Sequence, residues 1–323
     1  MYIVLFLKET CQLKSRITGI NGAGRGVAAV LIAGCSWGST GVFVRILDGL
    51  GYSPLTIVFA RMSLAFVIML IALCVLGRRE LLRVRFKDIW CFIGTGVSSA
   101  ILLNLFFSMA IVMNSLSLAA ILLATAPVFV VLLSAPIFGE RVSSVKIQAL
   151  VIAFAGCALT SGAVGSGSVF SPLGVFIGLL AGFGYALYSI MTRFALNRGY
   201  DPLTVNIYSF GIGSLVCAPF TNFSLIASTI SGSPVSMAIL LILHTLFASL
   251  LPYMLYTYGM KFMDTGKASI LVSVEPVAAT FFGVFLFSEI PTAVNVVGIA
   301  LVLFAVALLN VPGGLRRLFR RRQ

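Results

Sequence analysis

The sequence predicts an all-α membrane protein: ten transmembrane helices, arranged as two inverted five-helix repeats around a central cavity, with both termini cytoplasmic. Three observations predict it. The 323-residue chain is 60% hydrophobic and 10% charged, with mean hydropathy +1.11, which leaves too little polar surface to enclose a soluble core of that size. The chain is duplicated. Ala119/Ala268, Pro127/Pro276, Phe138/Phe287 and Glu140/Glu289 coincide at an offset of 149, and R-I-L-D-G-L-G-Y-S-P-L-T from Arg45 matches R-F-A-L-N-R-G-Y-D-P-L-T from Arg193 at 148. Third, 20 of the 22 Lys and Arg residues fall in alternate connections.

Residues 1–25 open on a seven-residue apolar run and then turn polar at Lys8, Glu9, Lys14 and Arg16. That run is too short for a signal-peptide core, so the segment reads as a cytoplasmic tail. Uncharged runs of about 20 residues then mark spans across a hydrocarbon layer about 30 Å thick. In the first repeat (26–164) they are Val27 to Leu47, Pro54 to Leu76, Ile89 to Val112, Leu118 to Phe138 and Ile147 to Val164. In the second repeat (171–311) they are Leu173 to Phe194, Leu203 to Phe220, Val235 to Tyr258, Ala268 to Phe287 and Thr292 to Val311, followed by a basic tail, 312–323. Most connections are short and carry turn residues, such as Gly165 to Ser168. The longest uncharged one, T-N-F-S to S-G-S-P (Thr221 to Pro234), reads as a loop.

Cations are retained on the cytoplasmic side during insertion, and an inside N-terminus leaves only Arg45 and Arg61 elsewhere. The net charge of +13 thereby has its explanation without a nucleic-acid partner, since the basic clusters alternate with spans. Five spans per half is an odd number, so the second copy enters from the opposite side. Inverted repeats around a membrane-plane axis are the construction of many secondary transporters.

The residues also carry a resemblance. A-G-C-S-W-G-S-T-G in the first span, F-A-R-M-S-L-A in the second, A-P-V-F-V-V-L-L-S-A-P-I-F-G-E-R ending the fourth, P-Y-M-L-Y-T-Y-G-M-K at Pro252 and S-V-E-P-V-A-A-T-F-F-G-V-F-L-F-S-E at Ser273 stand in order over nearly the whole chain. In these the chain resembles the EamA-type branch of the drug/metabolite transporter superfamily. The resemblance implies a ten-helix basket with a central cavity and, most often, export of amino acids or other small metabolites from bacteria across the inner (plasma) membrane.

Candidate cavity residues follow from the cost of burying polarity. Glu275 is the one carboxylate inside a span, about 12 Å along its helix; substrate or proton binding and a packing role both fit it. Arg61, about seven residues into the second span, needs a partner or water; it reads as a receiver of a substrate carboxylate or as a structural or gating residue, which its resemblance to an arginine placed here across the family favours. Trp37 and its repeat counterpart Tyr185 lie near Gly34/Gly38 and Gly178/Gly182, whose spacing admits close helix approach, and far from either interface. Asn104, Tyr188 and the sole histidine, His244, either bond across the bundle or face the cavity. Pro127 and Pro276 are hinge candidates, because a proline inside a helix lacks an N–H and weakens the ladder.

No metal or cofactor is expected. A lone histidine without ligand-spaced Cys, Asp or Glu is not a metal site, the six cysteines show no CxxC pair, and no phosphate-binding G-x-x-x-x-G-K-S/T occurs. His244 and Ser249 lie five apart on one helix without G-x-S-x-G, which argues against a serine hydrolase and, with the duplication, against an enzyme. The mixture of one cation, one anion, amides and aromatics suits a small zwitterion, so the expected activity is export of amino acids or related metabolites by alternating access. Efflux of lipophilic or cationic toxic compounds, or uptake of a nutrient, is the alternative. Expected partners are the small-molecule substrate and the lipid bilayer, with proton coupling as one energy source, as a monomer or weak homodimer.

Overall fold

A computed structural model describes residues 22–113, 119, 122–160, 171–288 and 292–310. Residues 1–21 and 311–323, Ser166 and Glu289 lie outside the described residues. Among the described residues all regular structure is helical: α1 (Gly22–Gly38), α2 (Thr40–Gly49), α3 (Pro54–Val75), α4 (Ile89–Val97), α5 (Phe106–Met113), α6 (Ala126–Phe138), α7 (Ser144–Thr160), α8 (Pro172–Asn197), α9 (Pro202–Cys217), α10 (Phe223–Gly232), α11 (Pro234–Thr245), α12 (Leu251–Gly259), α13 (Thr265–Leu271), α14 (Glu275–Phe287) and α15 (Ala293–Asn310). Among the described residues seven helices, some of them joined from neighbouring elements, are long and apolar enough to cross a membrane, and shorter apolar helices accompany them. Large apolar side chains such as Val235 (72%) and Phe285 (69%) are exposed, as lipid-facing residues are.

The duplication reappears in backbone geometry. Gly51 and Gly199 both take φ +85, a left-handed conformation that glycine adopts without strain. Two residues on, Ser53 and Asp201 cap α3 and α9, accepting the N–H groups of Thr56 and Leu203 at 3.3 and 2.9 Å, each ahead of a proline at the first helical position. Gly139 (φ 67) and Ser288 (φ 55) end α6 and α14 in the left-handed region at the second offset. A π-helical segment begins at Ser98 between α4 and α5, and another at Leu246 between α11 and α12.

The copies interlock instead of lying side by side. α1 packs on α12 and α14, α8 packs on the π segment Ser98–Leu105 and on α6, α3 packs on α9, and α7 packs on α15. Glycines make the crossings close. A methyl at Gly38 would lie 2.6 Å from Ala278 Cβ and 2.7 Å from the Glu275 carbonyl, and one at Gly182 would lie 2.9 Å from Thr125 Oγ1.

Three expectations are corrected. The connection from Thr221 to Pro234 is not a loop: Asn222 Oδ1 accepts the Leu225 N–H at 3.0 Å, α10 follows, and its Leu225 and Ile226 pack against Leu47, Tyr52 and Ile57. The fourth span is interrupted by a turn at residues 124–125, and the ninth tightens to a 3-10 segment at Val272–Val274 within the helical run Thr265–Leu286. The first helix starts at Gly22, within the expected tail.

Candidate functional site

α3 carries Arg61 into the interior, where it is 5% exposed. In α12, Pro252 has no N–H to give to the carbonyl four residues earlier, that of Ala248. Arg61 Nη1 donates to this carbonyl at 3.0 Å, and Nη2 donates to Asn104 Oδ1 at 2.8 Å. Asn104 is the repeat counterpart of Pro252, and its own amide donates to the Ser99 carbonyl inside the first π segment. One guanidinium therefore joins equivalent points of the two copies. Among the described residues no carboxylate pairs with it, so a permanent charge stands in the bundle with donors to spare.

Five or more residues along the same helix from Ala248, Tyr253 and Tyr256 meet Trp37 of α1, with ring centroids 5.2 and 5.5 Å away. Tyr185 and Tyr188 of α8 complete the cluster: Tyr185 lies 6.5 Å from Trp37, and Tyr188 lies 5.3 Å from Tyr253. Trp37, Tyr185 and Tyr188 are thus brought together, as expected, but they close on one another in this conformation. Tyr256 is anchored by Ser189 Oγ at 3.0 Å, whereas among the described residues the buried Tyr185 and Tyr188 hydroxyls have no partner at full hydrogen-bond geometry. In the sequence Tyr253 and Tyr256 stand only within the run P-Y-M-L-Y-T-Y-G-M-K, and the α1–α12 contact that recruits them is long-range.

The remaining candidates make no hydrogen bond or ion pair with this cluster among the described residues, although the Arg61 charge acts on both His244 and Glu275. His244 is fully buried, stacks on Phe43 at 5.4 Å, and neither ring nitrogen has a protein partner. Glu275 is the first residue of α14, at the positive end of a helix dipole, with Gly38 packed on its carbonyl. No hydrogen bond or ion pair joins it to the other candidates among the described residues. Pro127 and Pro276 each occupy the second position of a new helix, where the missing N–H is no loss. A turn at residues 124–125 precedes the first, and the 3-10 segment Val272–Val274 precedes the second.

A polar latch was legible only as a repeated Glu. Glu140, just after α6, accepts the N–H groups of Thr265 (2.7 Å) and Gly266 (3.1 Å) at the start of α13, and the Ser134 hydroxyl (2.9 Å). Lys146 lies 3.9 Å from Glu140 and 3.4 Å from Asp264, and Arg193 Nε donates to Thr265 Oγ1 at 2.8 Å. Burial pushes the Glu140 carboxyl up, but the backbone donors of Gly266 and Thr265 and the neighbouring hydroxyls outweigh it and hold the group below the ordinary carboxylate range.

A duplicated bundle of apolar helices with an unpaired cation and an aromatic cluster between its copies defines a membrane transporter of two-repeat architecture, not an enzyme. The chain belongs to the EamA-like transporter family, whose pattern matches residues 24–162 and again 172–311. It is 27% identical, over 87% of its length and 94% of the relative's, to an "Uncharacterized transporter" of Archaeoglobus fulgidus. It is 28% identical, over 93% and 96%, to a "Probable terminal-alkyne amino-acid exporter" of Streptantibioticus cattleyicolor. A solved crystal structure, 18% identical, superimposes with a TM-score of 0.71 over 92% of this chain and 98% of that one, and supports the fold alone.

Proposed function

We propose that the protein exports amino acids or closely related small metabolites across the bacterial inner membrane by alternating access, with ten spans in two inverted repeats and both termini cytoplasmic. The observation that carries the reading is Arg61: a buried guanidinium without a carboxylate partner, held at the junction of the copies within reach of the helix that bears Tyr253 and Tyr256. Such a cation suits a substrate carboxylate. The aromatic cluster suits an apolar or aromatic side chain, and the buried Tyr185 and Tyr188 hydroxyls suit its polar groups. The relative named as an amino-acid exporter supports the same class. Inversion is supported by the two glycine corners: the one at Gly51 precedes α3, while the one at Gly199 packs through Tyr200 on Arg85 and Asp88, beyond the far end of α3.

Trp37, Arg61, Asn104, Tyr185 and Tyr188 are the proposed substrate contacts, with His244 and Glu275 flanking them and proton coupling assigned to Glu275. The turn ahead of Pro127 and the 3-10 segment ahead of Pro276 are the proposed hinges, in a monomer or weak homodimer. One observation favours a second reading. Three aromatic rings around Trp37, with Glu275 on the helix that α1 packs against, would suit an organic cation by cation–π attraction. Counterflow in vesicles containing the purified protein tests both: uptake of labelled amino acids supports the first reading, and uptake confined to organic cations replaces it with the second.

A further inference from the structure

The equivalent corners at Gly51 and Gly199 differ in what covers them. Tyr52 is 1% exposed, its hydroxyl lies 2.5 Å from Thr229 Oγ1, and α10 roofs the corner with Leu225 and Ile226. At the other end of α3, Arg198, Gly199 and Tyr200 have no such roof among the described residues. With Arg83, Val84 and Arg85 they bound an open cleft of about 370 Å³.

The floor of this cleft is fixed by hydrogen bonds. The Arg85 N–H donates to Tyr200 Oη at 3.1 Å, Tyr200 donates to Asp88 Oδ2 at 2.8 Å, and Arg198 Nε meets Asp88 Oδ1 at 2.9 Å. Asp88 thereby neutralises one arginine of the three. Among the described residues no carboxylate pairs with Arg83 or Arg85, so the rim carries two uncompensated guanidinium groups. Beside it, Phe86 is 88% exposed and Trp90, whose ring lies 5.0 Å from the Arg198 guanidinium carbon, is 40% exposed. An arginine rim next to exposed aromatic rings combines the chemistry of phosphate recognition with that of a membrane interface.

We propose that this cleft binds the phosphate of an anionic phospholipid headgroup. Arg83 and Arg85 hold the phosphate, while Phe86 and Trp90 rest at the level where headgroups meet acyl chains. The site spans both copies, since Arg83 to Asp88 belong to the first repeat and Arg198 to Tyr200 to the second. A bound headgroup ties the two together at this end of the molecule. The duplication does not create the site as a by-product: the equivalent corner has Leu50 where this one has Arg198, and it is filled.

The test uses the full-length protein in phosphatidylcholine nanodiscs, with phosphatidylglycerol titrated in and glycerol 1-phosphate added in solution as the aqueous arm. Lipid retention is read by native mass spectrometry and stability by thermal unfolding. Wild type is expected to retain phosphatidylglycerol and to unfold at a higher temperature with it than in phosphatidylcholine alone, an arm that needs no variant. The double variant Arg83→Gln, Arg85→Gln is expected to retain about thirtyfold less, at roughly 1 kcal/mol per cation near the surface, and Arg83→Lys, Arg85→Lys to recover part of the loss. Equal retention of both lipids by wild type, or of phosphatidylglycerol by the double Gln variant, would overturn the proposal. Equal stabilisation by glycerol 1-phosphate at matched concentration would also overturn it, by assigning the cleft to a soluble anion.

Discussion

At residue scale, Arg61 substitutes for a hydrogen bond that Pro252 removes, and it does so with a charge where a neutral donor would suffice to satisfy the carbonyl. The excess points to an anion. Arg61→Gln is expected to lower uptake of carboxylate-bearing substrates at least about tenfold, in line with the loss of a charge-assisted hydrogen bond, while uptake of the matching amines or esters falls much less. Equal loss for both, measured in the same vesicles, would leave Arg61 a purely structural strut. Glu140 provides a separate test through pH. Its folded-state pKa is depressed, so its stabilisation is present above the unfolded value and is lost as pH falls through the folded one. Glu140→Gln should therefore unfold earlier than wild type at neutral pH, by about 1–3 kcal/mol, and the gap should shrink only as the pH falls below the ordinary carboxylate range and through the lowered folded-state value. A gap that stayed constant into acid would remove the latch from the account. Of these two residues the sequence exposed the first through its depth in an apolar run. The second stood out only as a repeated acid, because its donors are backbone groups more than a hundred positions away.

At the scale of elements, interruptions distinguish this bundle from ten plain rods. The paired prolines were visible, but proline is as much at home in the second position of a helix as it is disruptive inside one, and sequence alone does not tell the two apart. The π segments left no periodicity signal, although Pro252 marks one of them and the 148-residue offset leads from it to Asn104. α10 was missed because its Ser, Thr and Asn content resembles a turn; what folds it is the Tyr52 corner it covers. If the segments ahead of Pro127 and Pro276 are hinges, replacing the two prolines together by Ala should cut transport several-fold with a smaller change in unfolding temperature, by favouring continuous helices. Full transport by a folded double variant would refute the hinge. The close crossings predict that Gly38→Ala costs about 1–3 kcal/mol, because its methyl would meet Ala278 and the Glu275 carbonyl on another helix. An unshifted unfolding temperature would show that α1 does not lie against α14.

For the whole molecule, the duplication was legible at two offsets, and the structure repeats it in caps, corners and π segments, though not in chemistry: Arg61 corresponds to Ser209 and His244 to Gly96. Interlocking was not legible, because an offset says which residues are equivalent and nothing about which helices touch. Repeats that cross-pack in this way let each copy supply half of one shared site, which suits alternating access. The proposed inverted topology predicts that reporter fusions at Lys87 and Arg198 appear inside and one at Ser233 outside, and the opposite labelling would remove the inversion. The central claim is that a small carboxylate-bearing metabolite crosses the membrane at Arg61, between the two copies. Its most direct test is counterflow of labelled amino acids into vesicles holding wild type or Arg61→Gln. Accumulation by wild type that is largely lost in the folded variant is the predicted result; wild-type vesicles that accumulate no amino acid, or a variant that accumulates as much as wild type, would contradict it.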